Sequence, residues 1–148
     1  MFKKVGLVGA ALVVLASGQA AFAGGSEASV SSSCSQSLYG LCEYWGQSYD
    51  GAHSMIYNVT EVANLPVSGS TSYVFLSSGS GQNQYLGNNN GSLRNYADVS
   101  INLFYNTNYS GPELTLGQGN VSGSGSAKKG SEQGSLLNNL RSLIFNIP

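Results

Sequence analysis

Charge is what this 148-residue chain has least of: six Lys and Arg with seven Asp and Glu amount to 9% of its residues. Nucleic-acid binders neutralise phosphates with clustered cations, so six scattered ones exclude a nucleic-acid partner. Histidine is scarcer still, with His53 alone. Neither a Gly-x-Ser-x-Gly elbow nor a His-Glu-x-x-His helix occurs. The expectation is a protein that is not an enzyme and has no catalytic residues. Two cysteines are too few for a sulfur-ligated zinc site. Past the N-terminal stretch, the sequence has no apolar run long enough to span a bilayer.

Against these shortages stand 20 Gly, 25 Ser, 14 Asn and 9 Tyr. Gly, Asn and Ser are turn residues, while Tyr suits a pleated, half-buried surface. The composition therefore reads as short strands joined by many turns, in one ordinary domain.

Residues 1–23 have the three parts of an export signal: a basic start at Lys3 and Lys4, an apolar stretch from Val5 to Ala16, and the small-residue ending Ala21-Phe22-Ala23. Its removal leaves four basic against seven acidic side chains, a net charge of −3. The expected product is secreted and extracellular, has no membrane contact once the signal is gone, and is a monomer. Residues 24–33 are expected as a flexible mature N-terminus and 34–148 as the folded domain. In an oxidising compartment the only two thiols, Cys34 and Cys42, are expected to form a disulfide. Residues 117–134, rich in Gly and Ser around Lys128 and Lys129, read as a flexible solvated loop.

The most informative feature is an internal repeat. Shifted by 60 residues, the segment from Leu41 to Gly51 aligns with that from Ile101 to Gly111, and both read aromatic, four residues, Tyr, one residue, Gly. The residues concerned are Tyr44, Tyr49 and Gly51, and Phe104, Tyr109 and Gly111. At an offset of 50, Asn88-Asn89-x-x-Ser92 matches Asn138-Asn139-x-x-Ser142. Two elements recurring in the same order indicate duplication of one supersecondary unit. Each unit starts with an apolar and aromatic strand, residues 38–45 or 100–105. A Gly-dependent folded hairpin and a second strand follow, near 53–59 or 113–116. The expected core is Leu41, Tyr44, Ile56, Val74, Leu86, Val99, Leu103, Tyr109, Leu114, Leu116, Ile144 and Phe145.

The aromatic-x4-Tyr-x-Gly signature, followed 27 to 37 residues later by Asn-Asn-x-x-Ser, resembles the Greek-key unit of βγ-crystallin-like proteins. The fuller layout of signal, short cysteine pair and two such units is similar to the secreted SMPI-type metalloproteinase inhibitors of actinobacteria. The resemblance implies an all-β fold, two Greek-key units at about 38–96 and 99–148 forming a βγ-crystallin-like β-sandwich. It also implies a function, inhibition of an extracellular metalloprotease by occlusion of its active site. Its alternatives are a calcium-binding or structural extracellular βγ-crystallin-like protein and a secreted toxin-like protein.

No cofactor is required by the resemblance, but calcium is allowed for. The positions that match the family's ligands are Asn88, Asn89 and Ser92, with Asn138, Asn139 and Ser142. All are neutral, whereas calcium favours carboxylate oxygens, and Leu93 and Leu143 stand where the motif has a final Ser. The structural alternative is that these side chains cap the turn before the last strand of each unit. An inhibitor also needs a stiff exposed loop. The candidates are residues 64–68, where Pro66 restricts the chain and Leu65 and Val67 are offered to specificity pockets, and the longer stretch 77–84, which is too rich in Gly and Ser to be stiff.

Overall fold

The computed structural model describes residues 28–119 and 126–148. The expected export signal, 1–23, lies outside them. Among the described residues, nine strands form two antiparallel sheets. They are β1 Ser29–Ser31, β2 Leu41–Tyr44, β3 His53–Tyr57, β4 Glu61–Val62, β5 Ser92–Asn95, β6 Ile101–Asn106, β7 Ser110–Leu116, β8 Ala127–Lys129 and β9 Ser142–Phe145. Short 3-10 segments occur at Gln36–Leu38 and Gly130–Leu136. The first sheet runs β1-β3-β2-β5-β8 and the second β4-β9-β6-β7.

The two units are related strand for strand, β2, β3 and β5 corresponding to β6, β7 and β9. Their remaining strands are exchanged. β4, from the first unit, pairs with β9 of the second, placing Glu61 opposite Ile144. β8, from the second, pairs with β5 of the first, placing Lys128 opposite Leu93. Asn95 ties the junction between the units. Its Nδ2 donates to the Val99 and Gly117 carbonyls, both at 2.7 Å, and its Oδ1 accepts from the Ala97 N–H at 2.7 Å.

The inter-sheet core follows from strand alternation. Leu41, Ile56 and Leu93 from one sheet meet Ile101, Leu103, Leu116, Leu143 and Phe145 from the other, with Leu65, Phe75, Leu86, Leu136 and Leu140 from the connections. Burial of each large side chain is worth roughly 1.5–3 kcal/mol, so this core outweighs any single cross-link. Most of the expected core is in place, with Val99 and Leu114 half-buried against it. Ile144 and Tyr109 are corrections, Tyr109 being half-buried outside the core clusters. Leu143 and Phe145 take the inward positions of β9, and the period of two leaves Ile144 half-buried on the other face.

Tyr44 is buried on the opposite face of β2, with Cys42 and Met55. The Cys34–Cys42 disulfide forms, with a Cα–Cα distance of 5.7 Å, and clips residues 34–38 over that face. Two segments expected to be flexible contribute strands, their residues 24–27 and 120–125 lying outside the described residues. Ser29–Ser31 is an edge strand paired with Met55 to Tyr57, not a loose N-terminus. Within 117–134, Ala127–Lys129 closes the first sheet and Glu132 accepts the Lys129 N–H at 2.7 Å to start the next turn. Backbone pairing with β5 overrides a solvated composition there.

Candidate functional site

Each folded hairpin is held by the serine of its own late motif. The Tyr49 N–H donates to Ser92 Oγ at 2.9 Å, and that hydroxyl donates to the Gly46 carbonyl at 2.6 Å. In the second unit the Tyr109 N–H donates to Ser142 Oγ at 3.0 Å, and the hydroxyl to the Asn106 carbonyl at 2.6 Å. Both tyrosines are left-handed, with φ of 62° and 55°. A bulky residue there is strained unless its surroundings fix it. Here the serine binds the N–H of the strained residue itself. Two residues on, Gly51 and Gly111 also have positive φ, 73° and 83°, where a Cβ is disfavoured. The rings close edge to face on the strand aromatics, Tyr49 on Tyr44 at 5.5 Å and Tyr109 on Phe104 at 6.0 Å, both at 69°.

The asparagines of the two late motifs do matching work. Asn88 and Asn138 are left-handed, at φ 63° and 57°, a conformation Asn tolerates better than most residues. Asn89 Nδ2 donates to the Tyr85 carbonyl at 2.8 Å, and Asn139 Nδ2 to the Leu137 carbonyl at 2.9 Å and the Ser135 carbonyl at 3.2 Å. The motifs meet head to head. The Asn88 N–H donates to the Leu140 carbonyl and the Asn138 N–H to the Asn90 carbonyl, both at 3.2 Å. This pseudo-twofold contact brings Asn88, Asn89 and Asn138 to one cleft of about 250 Å³, together with Trp45 and Gln47. Ser92, Asn139 and Ser142 are not among the residues lining it.

At the third motif position the copies differ. Asn90 is buried and fully engaged. Its Nδ2 donates to Gln133 Oε1 at 2.6 Å and the Leu136 carbonyl at 2.8 Å, and its Oδ1 accepts from the Leu140 N–H at 3.1 Å. Leu140 holds the equivalent place as an apolar core residue. Gln133, which the sequence reading missed, returns donors to the Asn90 and Gly91 carbonyls at 3.3 and 2.8 Å.

Calcium, which the resemblance allows for, is poorly matched by these atoms. Every motif donor is neutral and both serine hydroxyls are engaged in the hairpins. Among the described residues, no group of three or more His, Cys, Asp or Glu could hold a metal ion. Of the motif side chains, Asn88 has a buried acceptor, Oδ1, without a hydrogen-bond partner. A single amide oxygen lacks the charge and number of oxygens calcium requires.

The Leu65-Pro66-Val67 segment differs from its expectation in one residue. Leu65 is not offered outward. It is fully buried in the inter-sheet core. Its N–H donates to the Arg141 carbonyl at 2.7 Å, and its own carbonyl accepts from Arg141 Nε at 3.0 Å. Arg141 also donates to Asn64 Oδ1 at 3.1 Å. Downstream, the Gly69 N–H donates to the Tyr85 hydroxyl at 3.1 Å. A Cβ on Gly87 would lie 2.5 Å from the Leu65 carbonyl oxygen and 2.7 Å from that of Pro66, so the loop rests on bare backbone. Val67, 40% exposed, is the apolar side chain left at the tip.

One further group was not foreseen. Glu43 lies between Ser54 and Leu93 in the first sheet, fully buried, with both carboxylate oxygens unpartnered. Desolvation pushes its pKa up to about 8. The repeat held a signal for this, because the 60-residue offset aligns Glu43 with Leu103, an inward core position.

No family model and no curated protein matches this chain. The structure is similar to a solved chain described under the evolution of the eye lens βγ-crystallin domain fold. The TM-score is 0.54 at 14% identity, over 80% of this chain and 95% of that one. The fold is βγ-crystallin-like. The paired hairpins, reciprocal strands and serine-held tyrosines are therefore this chain's version of a βγ-crystallin-like sandwich. The disulfide accords with an oxidising compartment, and no helix among the described residues is long and apolar enough to cross a membrane.

Proposed function

We propose that the protein is a secreted inhibitor of extracellular peptidases, metallopeptidases first, that binds through the 66–68 loop and blocks the active site. The observation that carries this reading is the clamp around that loop. Arg141 holds Asn64 and Leu65 on one side and Tyr85 holds Gly69 on the other, while Val67 is exposed between them. A loop fixed before binding loses little conformational freedom on entering a cleft, and this is where a substrate-like inhibitor gains affinity over a flexible peptide. The preference for metallopeptidases rests on the layout of signal, cysteine pair and paired units. The partner is a protein, and the acting species a monomer.

The test is an inhibition assay of the purified protein against thermolysin-like enzymes. Saturable inhibition, lost on Val67→Asp, supports the reading. Full peptidase activity at micromolar protein sinks it and leaves a structural extracellular βγ-crystallin-like domain.

A further inference from the structure

We propose that the cleft between the two late motifs binds a neutral carbohydrate, one sugar ring lying against Trp45 and fixed by the surrounding amides. The inference is independent of the peptidase reading, because the cleft and the 66–68 loop share no residue.

Four of the five lining residues, Gln47, Asn88, Asn89 and Asn138, are amides, the fifth is Trp45, and none is charged. Each amide offers both donor and acceptor atoms at no charge, which complements hydroxyl groups and offers an ion little. Among the described residues, only Asn89 Nδ2 has a hydrogen bond from these four side chains to the protein. Gln47 and Asn138 are exposed, so their amide donors and acceptors are open to a ligand. Asn88 Oδ1 is buried at the cleft wall without a partner, which is costly, and a ligand hydroxyl would relieve it once the amide turns toward the cleft.

Trp45 supplies the apolar half of the site. Its indole is half-buried and held rigidly. Phe75 stands perpendicular to it at 5.9 Å, and a Cβ on Gly81 would lie 2.2 Å from Trp45 Cδ2, so that backbone covers one face of the ring and leaves a sugar only the remaining indole surface. The apolar C–H edge of a pyranose matches an aromatic surface, while its hydroxyls point to the rim where the amides are. At about 250 Å³ the cleft is smaller than the roughly 300–1,000 Å³ of drug-sized ligand sites, which favours a single ring.

Trp45 is the only tryptophan, so its emission reports on the cleft alone. The purified protein is titrated with glucose, galactose, mannose and N-acetylglucosamine to about 50 mM, above the millimolar range where single-ring affinities fall, and separately with calcium chloride. A saturable change with at least one sugar is expected. Its midpoint should rise about tenfold in Gln47→Ala and in Asn88→Gly, each of which removes one or two hydrogen bonds. Glycine at 88 keeps the left-handed backbone, and Gln47 is exposed, so its loss leaves the fold intact. The proposal is overturned by the absence of a saturable response to any of the sugars, by an unchanged midpoint in Gln47→Ala, or by a response to calcium chloride alone.

Discussion

Ser92 Oγ lies 2.9 Å from the amide nitrogen of Tyr49, 43 residues earlier in the chain, and the hydroxyl is buried between that N–H and the Gly46 carbonyl. It joins the start of the last strand of its unit to the fold-back of the first hairpin. Replacing Ser92 by Ala should therefore strand one donor and one acceptor and lower the unfolding free energy by about 1–3 kcal/mol. Ser142→Ala should cost a similar amount through Tyr109. Urea denaturation of both variants measures this, and a loss confined to one of them would break the equivalence of the two units.

Glu43 should make the protein less stable as pH rises. Its folded pKa, about 8, lies above the ordinary value of 4.5. Between those values the folded state keeps a proton that the unfolded state has lost. Stability is then fully present below about pH 4.5, falls by about 1.4 kcal/mol per pH unit up to about pH 8, and levels off above. Other groups add their own slopes, so the comparison is with Glu43→Leu, the residue at the equivalent position 103. Urea midpoints of the variant should exceed those of the parent at pH 8 and have lost this part of the pH dependence.

The 64–69 loop separates anchoring from contact. Leu65→Ala empties a fully buried site and should cost about 2–5 kcal/mol of stability. Val67→Asp should leave the urea midpoint within about 0.5 kcal/mol of the parent while weakening peptidase inhibition at least tenfold, because a charge must then be desolvated at the contact. Denaturation and inhibition measured on the same two variants check the division.

Reduction of the Cys34–Cys42 disulfide should lower stability by about 2–3 kcal/mol without unfolding the sheets. The bridge closes a short ring, and the inter-sheet core does not depend on it. Circular dichroism with and without reductant, followed through a thermal melt, tests this. Loss of the folded signal on reduction alone would mean that the outer-face packing of Cys42, Tyr44 and Met55 contributes more than the core suggests.

How far these features were legible in the sequence depended on whether the determinant was a residue type or a pairing. Tyr49, Gly51, Tyr109 and Gly111 were readable because positive φ and close ring packing select particular residues at fixed spacing. Asn88 and Asn138 were readable as a motif, but their left-handed backbone served the turn more directly than any cation. Leu65 was misplaced because a Pro-flanked apolar residue looks the same on a loop as in a core, and only the Arg141 contact, 76 residues away, decides. Ile144 and Leu143 are adjacent and both apolar, so composition could not select the strand parity. The strands β4 and β8 span two and three residues. Nothing local marks segments that short, because their pairing comes from the other unit.

That exchange constrains how the protein can come into being. Each half presents a sheet with a vacancy that only the other half's strand occupies, so neither is a finished object alone. Cut near residue 97, the chain should yield two pieces that are incomplete apart and mutually completing when mixed. A lone ancestral copy would have had to meet its twin before it could close.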